Sequence, residues 1–240
     1  MIMKPVVLLV GHGSRDKAAN LSFRKLVSLY RQRHPSWDIK FGFLEFSKPS
    51  LTSALERVLK INPKVRILPV FLFAARHWKK DIPALLAEAK KKYPGAQLAL
   101  APVLGAHPLM AGLVEERLKS IRTPKASTLI LVGRGASDPG VKKEFFRLAK
   151  ILGKKYGYRK VRPCFYDMLH PTLEETLRKE APVTEGQVVV VPYLLFRGKV
   201  LQRIRQIAQT ILSKSKLKVA PVLGLHEKLL SALDQKLNPT

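Results

Sequence analysis

The sequence predicts an α/β protein of two tandem homologous domains, each a four-stranded parallel sheet of strand order 2-1-3-4 with helices on both faces. Three observations support this prediction. VVLLVGHGSRD at 6–16 returns as TLILVGRGASD at 128–138, an offset of 122 residues. Short apolar runs alternate with segments of helical periodicity, which is typical of strand–helix units around a parallel sheet. Right-handed crossovers leave few strand orders for four such units, and 2-1-3-4 is the obvious candidate.

The repeat also predicts the domain boundary. The chain has 240 residues, enough for two domains of about 120 residues that each bury a core. We expect the domains to be 1–122 and 123–240. They meet at 122–127, where a proline and small polar residues interrupt the periodic pattern.

The elements follow from their local patterns. The apolar run 6–10 predicts a strand covered on both faces. Apolar residues at helical spacing predict a helix over 21–33, and Ser50 after a proline predicts the cap of the next helix. In the first repeat the strands are expected at 6–10, 39–46, 65–71 and 98–101. The helices are expected at 21–33, 51–59, 81–92 and 108–121. In the second repeat the strands are expected at 128–132, 161–166, 187–193 and 218–221.

Composition excludes several classes of protein. No apolar run is long enough to cross a bilayer, and we identify no signal peptide, so a cytoplasmic protein without a membrane partner is expected. The single Cys164 cannot form an internal disulfide and fits a reducing compartment. The formal charge of +27 is divided evenly, since each repeat carries 22 of the 44 basic residues. Such a charge attracts polyanions, which include nucleic acid, anionic lipid and polycarboxylate small molecules.

Candidate chemistry lies at the carboxyl ends of the first three strands. Ligands of open α/β sheets bind where the winding direction reverses, between strands 1 and 3. His12 follows strand 1 between two glycines, His77 follows strand 3, and Glu45 lies near the end of strand 2. Adjacent strands are about 4.8 Å apart, so side chains from these tips can converge as metal ligands or proton carriers. We find no P-loop, no GxGxxG after a strand, no CxxC pair and no HExxH, so a nucleotide cofactor or a closed zinc site is not expected.

The second repeat lacks this set. At the offset of 122, Arg134 stands in place of His12, and Asp167 in place of Glu45. Where His77 would fall, the stretch 196–204 has Lys199 or Val200, depending on a one-residue gap. We therefore expect one active centre per chain.

Three motifs, LLVGHGSRD, FLEFSKPSL and FLFAARHWKKDIP, resemble the class II chelatases of tetrapyrrole biosynthesis. The resemblance is to the sirohydrochlorin cobaltochelatase and ferrochelatase group in its long, two-repeat form, and it covers nearly the whole chain. It implies a chelatase-like fold, with His12 and His77 as metal ligands and catalytic groups and with Glu45 as a further acidic residue of the site.

The resemblance also implies the reaction. A divalent metal, Co²⁺ ahead of Fe²⁺ or Ni²⁺, would be inserted into sirohydrochlorin for cobalamin- or siroheme-type biosynthesis. The substrate is an octacarboxylate, so cations are expected to bind it across a cleft between the two domains of a monomer. The candidate substrate-binding residues are Arg15, Arg134, Arg197, Lys199 and Arg203.

Two other classes of function stay open at this level. One is a non-catalytic tetrapyrrole or metal carrier, against which the intact His12 and His77 argue. The other is a basic nucleic-acid-binding protein, which would need a basic stripe with interleaved aromatic residues that the sequence does not show.

Overall fold

The computed structural model describes residues 4–237, and these form two four-stranded parallel sheets, one from each repeat. The strands of the first sheet are β1 (Val6–Gly11), β2 (Asp38–Phe43), β3 (Lys64–Pro69) and β4 (Gln97–Leu100), in the order β2-β1-β3-β4. Those of the second are β5 (Thr128–Gly133), β6 (Lys160–Phe165), β7 (Val188–Pro192) and β8 (Leu217–Val219), in the order β6-β5-β7-β8. Both orders confirm the predicted fold class.

Helices connect the strands of each sheet. In the first repeat they are α1 (Lys17–Arg33), α2 (Leu51–Leu59), α3 (Ile82–Lys92) and α4 (Pro108–Ser120), with a π-helical turn at His77–Asp81 before α3. In the second repeat they are α5 (Pro139–Tyr156), α6 (Leu173–Glu180), α7 (Lys199–Ile211) and α8 (Glu227–Leu237).

Helices cover both faces of each sheet, which explains why β1 is an unbroken apolar run. Every residue of β1 is buried. Val6, Leu8 and Val10 pack with α2 and α3 in one cluster, whereas the aromatic ring of Phe23 on α1 contacts Phe41 and Phe43 of β2. Because successive strand residues point to opposite faces, one apolar run supplies two interfaces. The second sheet repeats this arrangement, with α6 and α7 on the cluster that contains Ile130 and Val132.

Side-chain caps fix where the helices begin. Ser50 accepts a hydrogen bond from the Ser53 N–H at 3.2 Å, as predicted, and Thr172 does the same in the second repeat within a capping box. Asp16 accepts from the Ala18 N–H at 2.9 Å. α1 therefore begins at Lys17 and not at residue 21 as expected, because the cap and not the first apolar residue starts the helix.

The compact units of the chain differ from the sequence repeats by their last helices. The described residues up to Leu104 and those from Leu230 form one unit, and Gly105–Leu229 form the other. The boundary at 122 thus stays a proposal about the sequence repeats, since contacts group α4 with the second unit and most of α8 with the first. Within the first unit, Asp234 of α8 accepts hydrogen bonds from Tyr30 and Arg33 of α1, at 2.8 and 2.7 Å.

Two further features of the described residues concern helix hydropathy and the single cysteine. No helix within residues 4–237 has both the length and the hydropathy required to span a bilayer. Cys164 is buried in β6, and this burial raises the pKa of its thiol to about 12, so the thiol stays protonated at neutral pH.

Candidate metal centre

Three potential metal ligands meet at the carboxyl end of the first sheet. His12 directly follows β1, Glu45 lies two residues after β2, and His77 opens the π-helical turn that follows β3. One ligand atom from each of the three lies within 4.8 Å of the others. The three residues are half-buried, so the site is reached from solvent. Because β1 lies between β2 and β3, the ends of the three strands are neighbours.

The backbone brings the tips of β1 and β2 unusually close. The Glu45 N–H donates to the His12 carbonyl oxygen at 3.0 Å, and the Leu44 N–H donates to the Gly11 carbonyl oxygen at 3.0 Å. Gly13 has a φ of +85°, and a Cβ at this position would come within 1.7 Å of the Glu45 carbonyl oxygen. Only glycine permits this approach. β2 therefore ends at Phe43 and not at 46 as expected, because the chain turns here to pack Glu45 against His12.

The π-helical turn presents His77. The Ile82 N–H donates to the His77 carbonyl oxygen, a hydrogen bond across five residues. The Trp78 indole N–H donates to the carbonyl oxygen of Ala101, at 3.2 Å, and so ties the turn to the chain that follows β4. The regular helix then begins at Ile82, one residue later than expected. A π-helical turn is rare and is frequently found at functional sites.

The three side chains have a defined mutual geometry. The imidazole rings of His12 and His77 lie with their centroids 4.6 Å apart and their planes at 89°. The Nε2 atom of His77 lies 3.9 Å from the Glu45 Oε1 atom. The 3.9 Å between His77 and Glu45 exceeds direct hydrogen-bond length and suits two groups that share a cation of first-row size.

Hydrogen bonds at Nδ1 determine which ring nitrogen of each histidine can bind a metal. The Nδ1 atom of His77 lies 2.7 Å from the Asp81 Oδ2 atom, and the Nδ1 atom of His12 lies 3.0 Å from the Gly13 carbonyl oxygen. A carboxylate and a carbonyl only accept, so both Nδ1 atoms donate. In the neutral rings the lone pair is then on Nε2, the nitrogen through which each histidine can act as a ligand or a base.

Two imidazoles and one carboxylate form an open site. A structural zinc site closes with four ligands, whereas three ligands leave positions for water or an incoming ligand. Imidazole accepts Co²⁺, Fe²⁺, Ni²⁺ and Zn²⁺, so the ligand set fits a first-row divalent ion without selecting one. Such a site can hold an ion and release it.

The predicted substrate-binding cations are exposed. The Arg15 guanidinium lies 5.0 Å from the centroid of the Phe46 ring, which itself follows Glu45 and is 56% exposed. Arg134 directly follows β5. Arg197 precedes α7, and Lys199 and Arg203 lie within it. The four cations of the second repeat belong to the second compact unit: Arg134, Arg197, Lys199 and Arg203.

Two neighbours of the site were missed from the sequence. Asp81 bonds His77, and Phe46 adopts a φ of 55° that places an aromatic ring beneath Arg15. The spacing of His77 and Asp81, four residues within a helical segment, is a signal that could have indicated their contact. Nothing in the sequence indicates that Phe46 has a positive φ.

Two further histidines have structural roles. His107 begins α4, where its Nδ1 atom accepts a hydrogen bond from the Leu109 N–H at 3.2 Å. His226 precedes α8 and accepts from the Lys228 N–H at 3.1 Å. Burial, with the nearby Arg117 and Lys228, lowers the pKa of His226, which favours the neutral ring that can accept this hydrogen bond.

Comparison with known proteins agrees with this architecture. The CbiX family model matches residues 6–121 and again 128–240. A sirohydrochlorin cobaltochelatase of Priestia megaterium is 30% identical over 96% of this chain and 78% of its own length. A sirohydrochlorin ferrochelatase of Bacillus subtilis strain 168 is 28% identical over 99% of this chain and 92% of its own. The solved structure of SirB from Bacillus subtilis with Fe³⁺ superposes with a TM-score of 0.90, at 26% identity, over 98% of this chain and 96% of that one.

Proposed function

The chain belongs to the CbiX family, and on that premise we propose that it is a metal chelatase that inserts a divalent metal ion into sirohydrochlorin. The observation that carries this proposal is the set of three ligand atoms from His12, Glu45 and His77 within 4.8 Å. Co²⁺ is the first candidate metal, with Fe²⁺ or Ni²⁺ as alternatives. The relatives are named for cobalt and for iron, and the imidazole ligands suit all three ions.

Metal insertion exchanges one divalent cation for two pyrrole protons. The site must therefore hold the cation weakly enough to release it, and basic groups must accept the protons. His12 and His77 can do both in sequence. Each Nε2 lone pair binds the ion first, and once the ion has passed to the macrocycle the same lone pair can take a proton.

Glu45 completes this site in the proposal. Its carboxylate oxygen lies 3.9 Å from the His77 Nε2 atom, on the side where the ion would sit. A carboxylate lowers the net charge of a cation held by two neutral imidazoles and can take up a proton as the ion leaves. We assign Glu45 a role in both steps.

The cationic surface supports a polycarboxylate substrate. Arg15 lies beside Phe46 at the edge of the site, and Arg76, Lys79 and Lys80 are exposed around His77. We propose that Arg15 and the second-repeat cations Arg134, Arg197, Lys199 and Arg203 bind peripheral carboxylates. Arginine is suited to this because its guanidinium bonds a carboxylate through two parallel hydrogen bonds.

The test is anaerobic mixing of the purified protein with sirohydrochlorin and, in separate reactions, Co²⁺, Fe²⁺ or Ni²⁺. Insertion changes the absorbance of the macrocycle, and we expect the rate with protein to exceed the spontaneous rate for at least one metal. The metal with the highest kcat/KM identifies the preferred ion. Tight binding of the tetrapyrrole or the metal with no acceleration would contradict the proposal and identify a carrier.

A further inference from the structure

Asp81 is poorly explained as a structural residue. It directly precedes α3, where an aspartate commonly caps the free N–H groups of the first turn. Its side chain makes no such cap, and its backbone is already helical, with φ −72° and ψ −44°. The helix does not need a cap at Asp81, because the π-helical turn continues into it.

The carboxylate of Asp81 is instead directed at His77. Its Oδ2 atom lies 2.7 Å from the His77 Nδ1 atom, and its Oδ1 atom lies 3.8 Å from the Nε atom of Arg76. Its side chain is 38% exposed and His77's is 27% exposed. Asp81 does not belong to the set of ligands within 4.8 Å. It therefore contacts the candidate metal ligand from behind, on the nitrogen that would not bind the ion.

We propose that Asp81 is a positioning residue for metal transfer, which acts only through His77. The inference rests on the proposed function of His77 as a metal ligand. A carboxylate on Nδ1–H fixes the tautomer and the ring orientation, and it increases the electron density that Nε2 offers to a cation. Asp81 thus keeps the lone pair of His77 turned toward His12 and Glu45.

The second repeat supports this pairing, because it lacks both members. At an offset of 122 residues, Lys199 and Arg203 replace His77 and Asp81, and at an offset of 123 they are replaced by Val200 and Ile204. Neither alignment keeps a carboxylate. The π-helical turn that brings the two side chains together has no counterpart among the described residues of the second repeat. If Asp81 served only to begin α3, an aspartate would be expected at the equivalent position of the second repeat even without the histidine.

The experiment is a double-mutant cycle on Co²⁺ affinity, measured by titration of the protein without tetrapyrrole. Asp81→Asn should weaken Co²⁺ binding about 10–100-fold. The amide can donate to Nδ1 as well as accept from it, so the wrong tautomer becomes available. In the His77→Ala background the same substitution should change the affinity less than twofold. Asp81→Glu, which keeps a carboxylate, should recover part of the loss.

A further measurement and a control variant distinguish the positioning role from a merely structural effect. Imidazole ¹⁵N shifts of the metal-free protein, followed upward in pH until they stop changing, should show Nδ1–H alone for His77 and a mixture of tautomers in Asp81→Asn. Glu88→Gln breaks an exposed ion pair with Lys91 on the same helix, at 2.7 Å, and should change neither the Co²⁺ affinity nor the shifts.

The outcomes separate this inference from the proposed function. If His77→Ala weakens Co²⁺ binding and Asp81→Asn does not, Asp81 has no positioning role and only this inference is overturned. An equal loss from Asp81→Asn with and without His77 would also overturn it. If His77→Ala itself leaves Co²⁺ binding and insertion unchanged, the proposed function fails first.

Discussion

The tips of β1 and β5 have nearly the same backbone and different side chains. Gly13 and Gly135 have φ values of +85° and +92°, and a Cβ at either would meet a carbonyl oxygen, of Glu45 or Asp167, at 1.7 Å. The N–H of each acidic residue donates to the carbonyl oxygen of His12 or Arg134 at 3.0 Å. The two repeats thus share the same close backbone approach. What differs is the side chains placed there, His12 and Glu45 in the first repeat and Arg134 and Asp167 in the second.

The connections after β3 and β7 differ more deeply. The first includes the π-helical turn His77–Asp81, which carries a ligand and its hydrogen-bond partner. In the second, α7 begins at Lys199 after Gly198, without such a turn. Among its described residues the second repeat therefore lacks the π-helical turn as well as counterparts of His12 and His77.

Removal of either histidine should have the largest effect. His12→Ala and His77→Ala each delete an imidazole that serves as ligand and base, so we expect insertion to slow by roughly 10²–10⁴-fold. The measurement is macrocycle absorbance under anaerobic conditions. His170→Ala, which removes an exposed histidine of the second repeat that bonds Glu175, is the matched control and should be as active as the unaltered chain. Full activity of both His12→Ala and His77→Ala would show that these two histidines are not needed for metal insertion.

The equivalent acidic residues should differ in effect. Glu45→Gln retains the size of the side chain and removes its charge beside His77, so we expect kcat to fall by about 10-fold or more. Asp167→Asn makes the same change at the equivalent position and should leave kcat unchanged. Steady-state kinetics of the two variants would test this directly. Equal losses would indicate that both repeats contribute a carboxylate to the chemistry.

Loss of surface charge should have a smaller effect, confined to substrate binding. Raising the salt concentration from about 0.05 to about 0.5 M shortens the screening length, so the KM for sirohydrochlorin should rise severalfold. Arg15→Ala should raise the same KM with little change in kcat, because it removes a binding group and no proton acceptor. Lys91→Ala, in the exposed pair with Glu88, is the control. A KM that is independent of salt would argue against a role for the surplus charge.

Placing histidines at the equivalent positions of the second repeat should create no second metal site. The combined substitutions Arg134→His and Lys199→His reproduce the lost residue types without the π-helical turn or a counterpart of Asp81. We expect Co²⁺ titration without tetrapyrrole to give the same stoichiometry as the unaltered chain. An additional equivalent of bound Co²⁺ would show that residue type alone creates the site.

Sequence patterns alone predict the repeat, the fold class, the strand order and the three candidate ligands. Hydrophobic periodicity depends on neighbours along the chain, and the rule for parallel sheets then places the tips of β1, β2 and β3 together. The helix caps at Ser50 and Thr172 are equally local.

How those tips meet, and how His77 is held there, depends instead on contacts that exist only in the folded chain. The π-helical turn that carries His77 is held by a non-local hydrogen bond, from the Trp78 indole N–H to the Ala101 carbonyl oxygen, whereas the contact of Asp81 with His77 is local and needs only that turn. No sequence pattern indicates the positive φ of Phe46. Most of α8 likewise groups with the first unit, where Asp234 accepts hydrogen bonds from Tyr30 and Arg33, about 200 residues away in sequence. Local patterns cannot encode these contacts, because their free energy arises only when the folded chain brings both partners together.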